Sequence, residues 1–185
     1  MRSAQTRQRL AEALKECMTT TELKKITIEM IVEKAQVTRT TFYYHFGDVH
    51  YLLAWIFDQN IVDQLQQSAE NSRWQEDYQM MLDYVAEHRQ FCLACFHSAD
   101  RQLLINFLWT LAKQLIRKTV SEVKQHPDKE VEEAVADFLG GALVMQIEQW
   151  LTDELTTNQA VLMRRAEIVM AGTVHRIIRR KRQPS

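Results

Sequence analysis

The sequence predicts an all-α protein with about nine helices. Its 185 residues include only 2 prolines and 4 glycines, too few for the many turns that a β fold needs. Apolar residues recur at offsets of three, four and seven along much of the chain, which is the spacing of amphipathic helices. Several of these segments begin after Thr or Asp, whose side chains cap helix N-termini. We therefore expect helices joined by short polar loops and no strand.

The composition is typical of a globular protein that folds in water. Hydrophobic residues make up 46% of the chain and charged residues 25%, and no apolar run approaches the length of a membrane span. The Arg-rich N-terminus lacks the apolar region of a signal peptide. Three cysteines, an odd number, favour a reducing compartment. We therefore expect a cytoplasmic location and no membrane partner.

The first third of the chain predicts four helices, three of which have polar N-terminal caps. Val37 and Phe42 flank one of these caps and match a hydrophobic staple, the contact that fixes the direction in which a chain enters a helix. The four expected helices are residues 5–19, a helix capped by Thr27, a short helix Arg39–His45 capped by Thr38, and a helix from Asp48 to about Gln67.

The remainder of the chain predicts five longer or more apolar helices. Pro127 suits the first turn of one of them, because proline lacks the N–H that a helix start leaves without a partner. The five expected helices are Trp74–Glu87, Phe91–His97, Asp100–Lys124, Pro127–Thr152 and Thr157–Arg179.

The net charge of −1 conceals an uneven distribution. Residues 1–50 carry 8 Lys and Arg against 6 Asp and Glu, residues 51–163 carry 8 against 17, and residues 164–185 carry 7 against 1. A mildly basic N-terminal part followed by an acidic middle suggests that only the N-terminal part approaches a polyanion.

The stretch from Thr27 to Leu53 has the layout of a helix-turn-helix, in which the second helix enters the DNA major groove. Within it, residues 35–46 read AQVTRTTFYYHF. This segment resembles the signature of the TetR family of bacterial transcriptional regulators, which is close to A-G-V-S-x-x-T-x-Y-x-H-F. The resemblance implies a helix-turn-helix head over residues 1–48 and a ligand-binding and dimerisation body over residues 49–185.

The same resemblance implies binding to double-stranded DNA and assigns roles to individual residues. Arg39, Thr40 and Tyr44 fall where base edges are read, and the fork of an arginine suits the two acceptors of guanine. Hydroxyls, helix N-termini and a cation suit phosphate oxygens. The residues expected at phosphates or at a cap next to them are Thr27, Thr38, Thr41, Tyr43 and His45.

Two positions depart from the family pattern. Gln36 stands where the family usually has glycine in the turn, and a side chain at positive φ costs on the order of 1 kcal/mol. Val49 stands where the family has the lysine that opens the next helix, so one phosphate contact is missing. His50 is a weak substitute for that lysine.

The resemblance also implies an effector pocket in the body and a homodimer joined through the last two long helices. Apolar pockets with a few polar groups are the usual small-molecule sites, and excess apolar surface on terminal helices indicates a partner. The pocket is expected to be lined by Tyr84, Trp109, Gln146 and Trp150. The dimer is expected to involve Phe138, Ala142, Ile168, Gly172 and His175.

Other readings of the chain remain open. Cys92 and Cys95 form a C-x-x-C, which favours core packing here over redox chemistry or a zinc site because no second pair follows. No arrangement of catalytic residues indicates an enzyme, and we expect no cofactor and no metal. Repression is the commoner mode in the TetR family. However, Trp55-Ile56-Phe57 and Trp74 resemble a branch that includes activators of dihydroxyacetone-kinase operons, which receive their signal from a protein partner. A helical interaction module without DNA binding is the alternative function.

Overall fold

The computed structural model describes residues 2–67, 73–123, 128–174 and 176. Within these ranges the chain forms nine α-helices and one short 3₁₀ helix, and no strand occurs, as the sequence predicts. The helices are α1 (Arg2–Cys17), α2 (Ile28–Lys34), α3 (Arg39–His45), α4 (Val49–Gln67), α5 (Trp74–Glu87), α6 (Arg89–Phe96), α7 (Arg101–Val123), α8 (Lys129–Thr152) and α9 (Gln159–Met170), with the 3₁₀ helix at Leu23–Lys25.

The backbone divides into two compact units. The first comprises residues 1–63 and 88–107, and the second comprises residues 64–87 and 108–185. These units describe packing and do not test the predicted division of function at residue 48, which stays a prediction. No helix in the described ranges is long and apolar enough to cross a membrane.

The core of the first unit is built from the inner faces of α1, α2, α3, α4 and α6. Phe42 of α3 is fully buried, so this short helix is anchored by a large apolar side chain. The ring of Phe57 lies 5.4 Å from that of Phe91 and 5.5 Å from that of Phe107. Other large side chains of this unit that are fully buried are Leu10, Leu14, Ile31, Leu52, Leu53 and Leu104.

The second unit contains α5, α8, α9 and the larger part of α7. Gly140 lies against the α7 backbone, since a Cβ there would come within 3.5 Å of the carbonyl carbon of Ala112. Its lack of a side chain therefore lets α8 approach α7 closely. Asp77 of α5 is buried, and its carboxylate accepts from the ammonium group of Lys118 on α7 at 3.2 Å. A buried charge needs such a partner, because desolvation alone would strongly disfavour it.

The helix boundaries differ from the sequence predictions in a few places. Helix α6 begins at Arg89, two residues earlier than expected. Asp128 caps α8, so this helix starts just after the cap. Helix α9 ends at Met170, before the predicted limit, and Thr173, Val174 and Arg176 are helical again after a break. The physical reason is a break at Gly172, whose φ of +69° leaves the right-handed helical range. Residues 68–72 of the loop predicted at 68–73, Pro127 and the basic residues 179–182 lie outside the described residues.

The link between α2 and α3 is a Schellman turn. The Gln36 N–H donates to the Glu33 carbonyl at 3.1 Å, and the Val37 N–H donates to the Val32 carbonyl at 3.0 Å. These are the two bonds that close a helix through a left-handed residue. That residue is Gln36, with a φ of 52°, so the strained position predicted from the family pattern is present.

We expect Gln36→Gly to leave the free energy of unfolding unchanged or to raise it by up to about 1 kcal/mol, because glycine adopts positive φ without steric cost. Chemical denaturation monitored by circular dichroism measures this. Glu33→Gly is the control, since glycine inside α2 should cost about 1 kcal/mol. A clear loss of stability in Gln36→Gly would contradict the strain at this turn.

Candidate nucleic-acid interface

Two capped helix N-termini form the base of the candidate interface. The Met30 N–H donates to the Thr27 hydroxyl oxygen at 3.4 Å, and the Thr41 N–H donates to the Thr38 hydroxyl oxygen at 3.1 Å. Both caps are thus confirmed, and both lie at the exposed starts of helices. A helix N-terminus carries N–H groups and a partial positive charge, so it suits a phosphate oxygen.

Arg9 of α1 holds the turn between these two helices. Its guanidinium donates to the Ala35 carbonyl and, at 3.4 Å, to the Gln36 carbonyl. The carbonyls at the C-terminus of α2 have no partners further along the helix, and a cation there also complements the helix dipole. Arg9 therefore ties the support helix to the turn that orients α3.

The outer face of α3 is polar, aromatic and exposed. Tyr44 is 82% exposed and Tyr43 is 50% exposed, while Thr40 is also exposed. Large aromatic side chains seldom remain in water without a partner, and phenol groups can donate to phosphates or base edges. Phe42 faces the core, so α3 has the one-sided character that groove binding requires.

Arg39 at the start of α3 is held by two neighbours. Its guanidinium pairs with the Glu29 carboxylate of α2, and both side chains are a little over half exposed. The guanidinium carbon lies 6.0 Å from the centre of the Tyr43 ring, and one nitrogen lies 3.5 Å from the Tyr43 hydroxyl. The hydrogen bond with the Tyr43 hydroxyl raises the pKa of Arg39, and the nearby Glu29 carboxylate raises it further. Arg39 is thus a fixed cation on the exposed face.

The other predicted phosphate residues lie nearer the core. Thr41 is half-buried, and its hydroxyl is 2.9 Å from that of Thr38. His45 is half-buried, and its ring lies 5.0 Å from that of Tyr44. His50 was considered from the sequence as a substitute phosphate ligand. Its ring bonds to the Asp100 carboxylate, so a phosphate would have to compete with Asp100 for His50.

Three residues of this region were missed by sequence reasoning. These are Arg9, Glu29 and Asp100, and each acts on a residue of another helix. The sequence indicates that Arg9 and Glu29 are charged residues of helices that cross closely, but it does not indicate which residues they contact. Nothing in the local sequence indicates that Asp100 meets a residue fifty positions earlier.

The four residues predicted to line an effector pocket make separate contacts within the second unit. Gln146 accepts a hydrogen bond from the Tyr78 hydroxyl at 3.0 Å, and burial raises the pKa of Tyr78, which keeps that hydroxyl a donor. The Trp150 indole N–H donates to the Thr157 carbonyl at 2.8 Å and so closes the loop before α9. Trp109 lies against Gly141, where a Cβ would come within 3.1 Å of its ring.

Tyr84, the fourth predicted ligand residue, lines a groove of about 600 Å³ beside α5 and α9. Met80 and Met163 also line this groove, together with the carboxylates of Asp83 and Glu87. Gln79 spans its wall by donating to Asp83 at 2.8 Å and to Gln159 at 2.9 Å. The groove therefore carries several carboxylates beside its apolar lining, and Tyr84 is the one of the four predicted residues that lines it.

Of the five predicted dimer residues, four are described, and they lie on α8, on α9 or just after α9. Phe138 is 81% exposed and Ile168 is 72% exposed, and Ala142 and Gly172 are exposed as well. A groove of about 550 Å³ beside Phe138 is lined mainly by valine and leucine side chains: Val131, Val135, Leu139 and Val169. His175 lies outside the described residues. Apolar side chains this exposed and this close together indicate a surface that a partner covers.

The two cysteines of the C-x-x-C lie on the buried face of α6. Cys92 and Cys95 are fully buried free thiols. Burial raises the pKa of Cys92 to about 12 and also raises that of Cys95, so both thiols are protonated and unreactive near neutral pH. Across the part of the chain that the structure describes, no group of His, Cys, Asp and Glu residues could hold a metal ion. The expectation of core packing agrees with these observations.

Comparisons with known proteins agree with this architecture. Residues 72–172, more than half of the chain, match the family TetR_C_8, described as a transcriptional regulator C-terminal region. The HTH-type dhaKLM operon transcriptional activator DhaS of Lactococcus lactis subsp. lactis (strain IL1403) is 28% identical over 82 residues, which span 44% of this chain and 44% of that relative.

Two solved structures are also similar. The dihydroxyacetone kinase operon activator DhaS superimposes with a TM-score of 0.75 over 92% of this chain and 96% of that chain, at 18% identity. A TetR family transcriptional regulator from Chloroflexus aurantiacus J-10-FL gives a TM-score of 0.45 over 95% and 88% of the two chains, at 16% identity. From the matched family and the all-helical fold, the chain belongs to the TetR family of transcriptional regulators.

Proposed function

We propose that the protein is a DNA-binding transcriptional regulator that reads its operator with α3. The observation that carries this proposal is the exposed face of α3, where Arg39, Thr40 and Tyr44 project from a helix anchored by Phe42. Base edges in the major groove are read by such donors, whereas the caps at Thr27 and Thr38 suit phosphates. A regulator of this kind performs no catalysis, and we propose no enzymatic activity.

We propose a homodimer joined through α8 and α9. The support is the cluster of exposed apolar side chains around Phe138 and Ile168 and the apolar groove between the two helices. A two-fold dimer presents two copies of α3, so its operator is a near-palindrome with half-sites about one helical turn apart or more. Binding of an effector to the body changes the separation of the two heads and hence their fit to DNA.

The second candidate function concerns where the regulatory signal comes from and whether the protein activates or represses transcription. The relative DhaS, named above, is an activator, and the groove beside α5 and α9 carries several carboxylates. These two observations favour an activator that receives its signal from a protein partner over a repressor with an apolar small-molecule pocket. The predicted ligand residues Gln146 and Trp150 already have intramolecular partners, which supports the same candidate.

We expect Arg39→Ala to weaken binding to the preferred DNA site by roughly ten- to a hundredfold and to reduce discrimination between that site and a scrambled duplex, because a guanine contact is lost. His45→Ala is the control, because loss of a phosphate contact at a residue outside the Arg39–Glu29–Tyr43 cluster should weaken both duplexes by a similar factor. Fluorescence anisotropy across a salt series measures these effects. If Arg39→Ala weakens both duplexes equally, Arg39 binds phosphate and does not read bases.

We expect Phe138→Glu to convert the dimer to a monomer, because a carboxylate at the centre of an apolar interface would be buried without a partner. Analytical ultracentrifugation at micromolar concentration measures the change in mass. Tyr51→Glu is the control, since Tyr51 is a similarly exposed aromatic residue of α4 in the first unit. An unchanged mass for Phe138→Glu would place the dimer interface elsewhere.

A further inference from the structure

We propose that Glu29 is a specificity-determining residue. Its ion pair with Arg39 is compatible with binding of a neutral base edge, but it repels a phosphate. This inference rests on the proposed DNA-binding function. Glu29 is in the first turn of α2, two residues after the Thr27 cap, and it reaches across to the first residue of α3. It is an acidic residue on a face otherwise suited to a polyanion.

The geometry at Arg39 leaves donors for one more ligand. An arginine carries five N–H groups in a planar fork. One terminal nitrogen of Arg39 contacts Glu29, and the other lies 3.5 Å from the Tyr43 hydroxyl. The Tyr43 ring supports the guanidinium from one side at 6.0 Å. The fork is thus oriented by two neighbours, and its remaining N–H groups can reach a further acceptor.

The chemistry of that acceptor decides whether the ion pair survives. Guanine offers two neutral acceptors, O6 and N7, so Arg39 can bind them while it remains paired with Glu29. A phosphate is an anion, and its approach to Arg39 brings it close to the Glu29 carboxylate, which repels it. Glu29 therefore disfavours sequence-independent binding through Arg39 more strongly than it disfavours base recognition.

The neighbouring Glu33 provides a matched control. It lies one turn further along α2 and is exposed, and it has the same charge as Glu29. Replacing either residue by glutamine removes one negative charge from α2. Only Glu29→Gln also releases Arg39, so a difference between the two variants reports the ion pair and not the general electrostatic field.

The experiment uses the full-length protein and two DNA duplexes, one that the wild type selects from a randomised pool and one scrambled duplex of equal composition. We expect Glu29→Gln to bind the scrambled duplex roughly fivefold tighter at physiological salt and to steepen its salt dependence by about one unit of slope, because Arg39 gains a phosphate contact. Affinity for the selected duplex should change less, so the discrimination between the two duplexes falls.

Glu29→Ala should have the same effect as Glu29→Gln. That result would exclude a new hydrogen bond from the glutamine amide to DNA as the cause.

Each outcome of this experiment decides between specific alternatives. Glu33→Gln should change both duplexes by a similar factor, and Glu29→Gln should lose its effect on discrimination when Arg39→Ala is also present. If Glu29→Gln and Glu33→Gln behave identically while the wild type discriminates, the role of Glu29 is refuted and the DNA-binding function stands. If the wild type fails to distinguish any duplex, the proposed function fails and this inference fails with it.

Discussion

The direction of α3 is set by the turn at Gln36, where the backbone is left-handed with a φ of 52°. Two backbone bonds close this turn, and the Arg9 guanidinium holds the carbonyls of Ala35 and Gln36 from α1. The turn lacks the glycine that would make it free of strain. The bonds and the burial of Phe42 therefore offset a local cost, and the exposed face of α3 keeps one orientation because of them.

Much of the fold could be predicted from the sequence, because local signals determine it. The caps at Thr27, Thr38 and Asp48 all form, and α3 has its predicted limits. These features depend on side chains within three residues of the backbone groups they satisfy. The early end of α9 was missed because Gly172 inside an apolar periodic segment is often tolerated in a helix, and only its backbone dihedral shows the break.

The candidate site was less predictable, since its important contacts join distant residues. Arg39, Thr40 and Tyr44 could be named because residues 35–46 resemble the TetR signature, and that resemblance assigns these three positions to base edges. The partner of Arg39 could not, because the crossing of α2 and α3 decides which acidic residue comes within reach. In the body, helical spacing places many aromatic residues inward without telling packing from ligand contact. Trp150 serves packing, with its N–H bonded to the Thr157 carbonyl.

The chain thus combines a fixed, exposed helix α3 with a second unit whose surface carries two different chemistries. The face around Phe138 is apolar, whereas the groove beside Tyr84 carries several carboxylates. In the proposed function, a second copy of the chain covers the apolar face, and the acidic groove receives the signal.

Selection of DNA from a randomised pool by the full-length protein, followed by sequencing, would identify the operator. We expect enrichment of a near-palindrome with half-sites about one helical turn apart or more, because a two-fold dimer places two copies of α3 on one side of the duplex. Enrichment of no sequence, or of a single site without two-fold symmetry, would contradict this expectation.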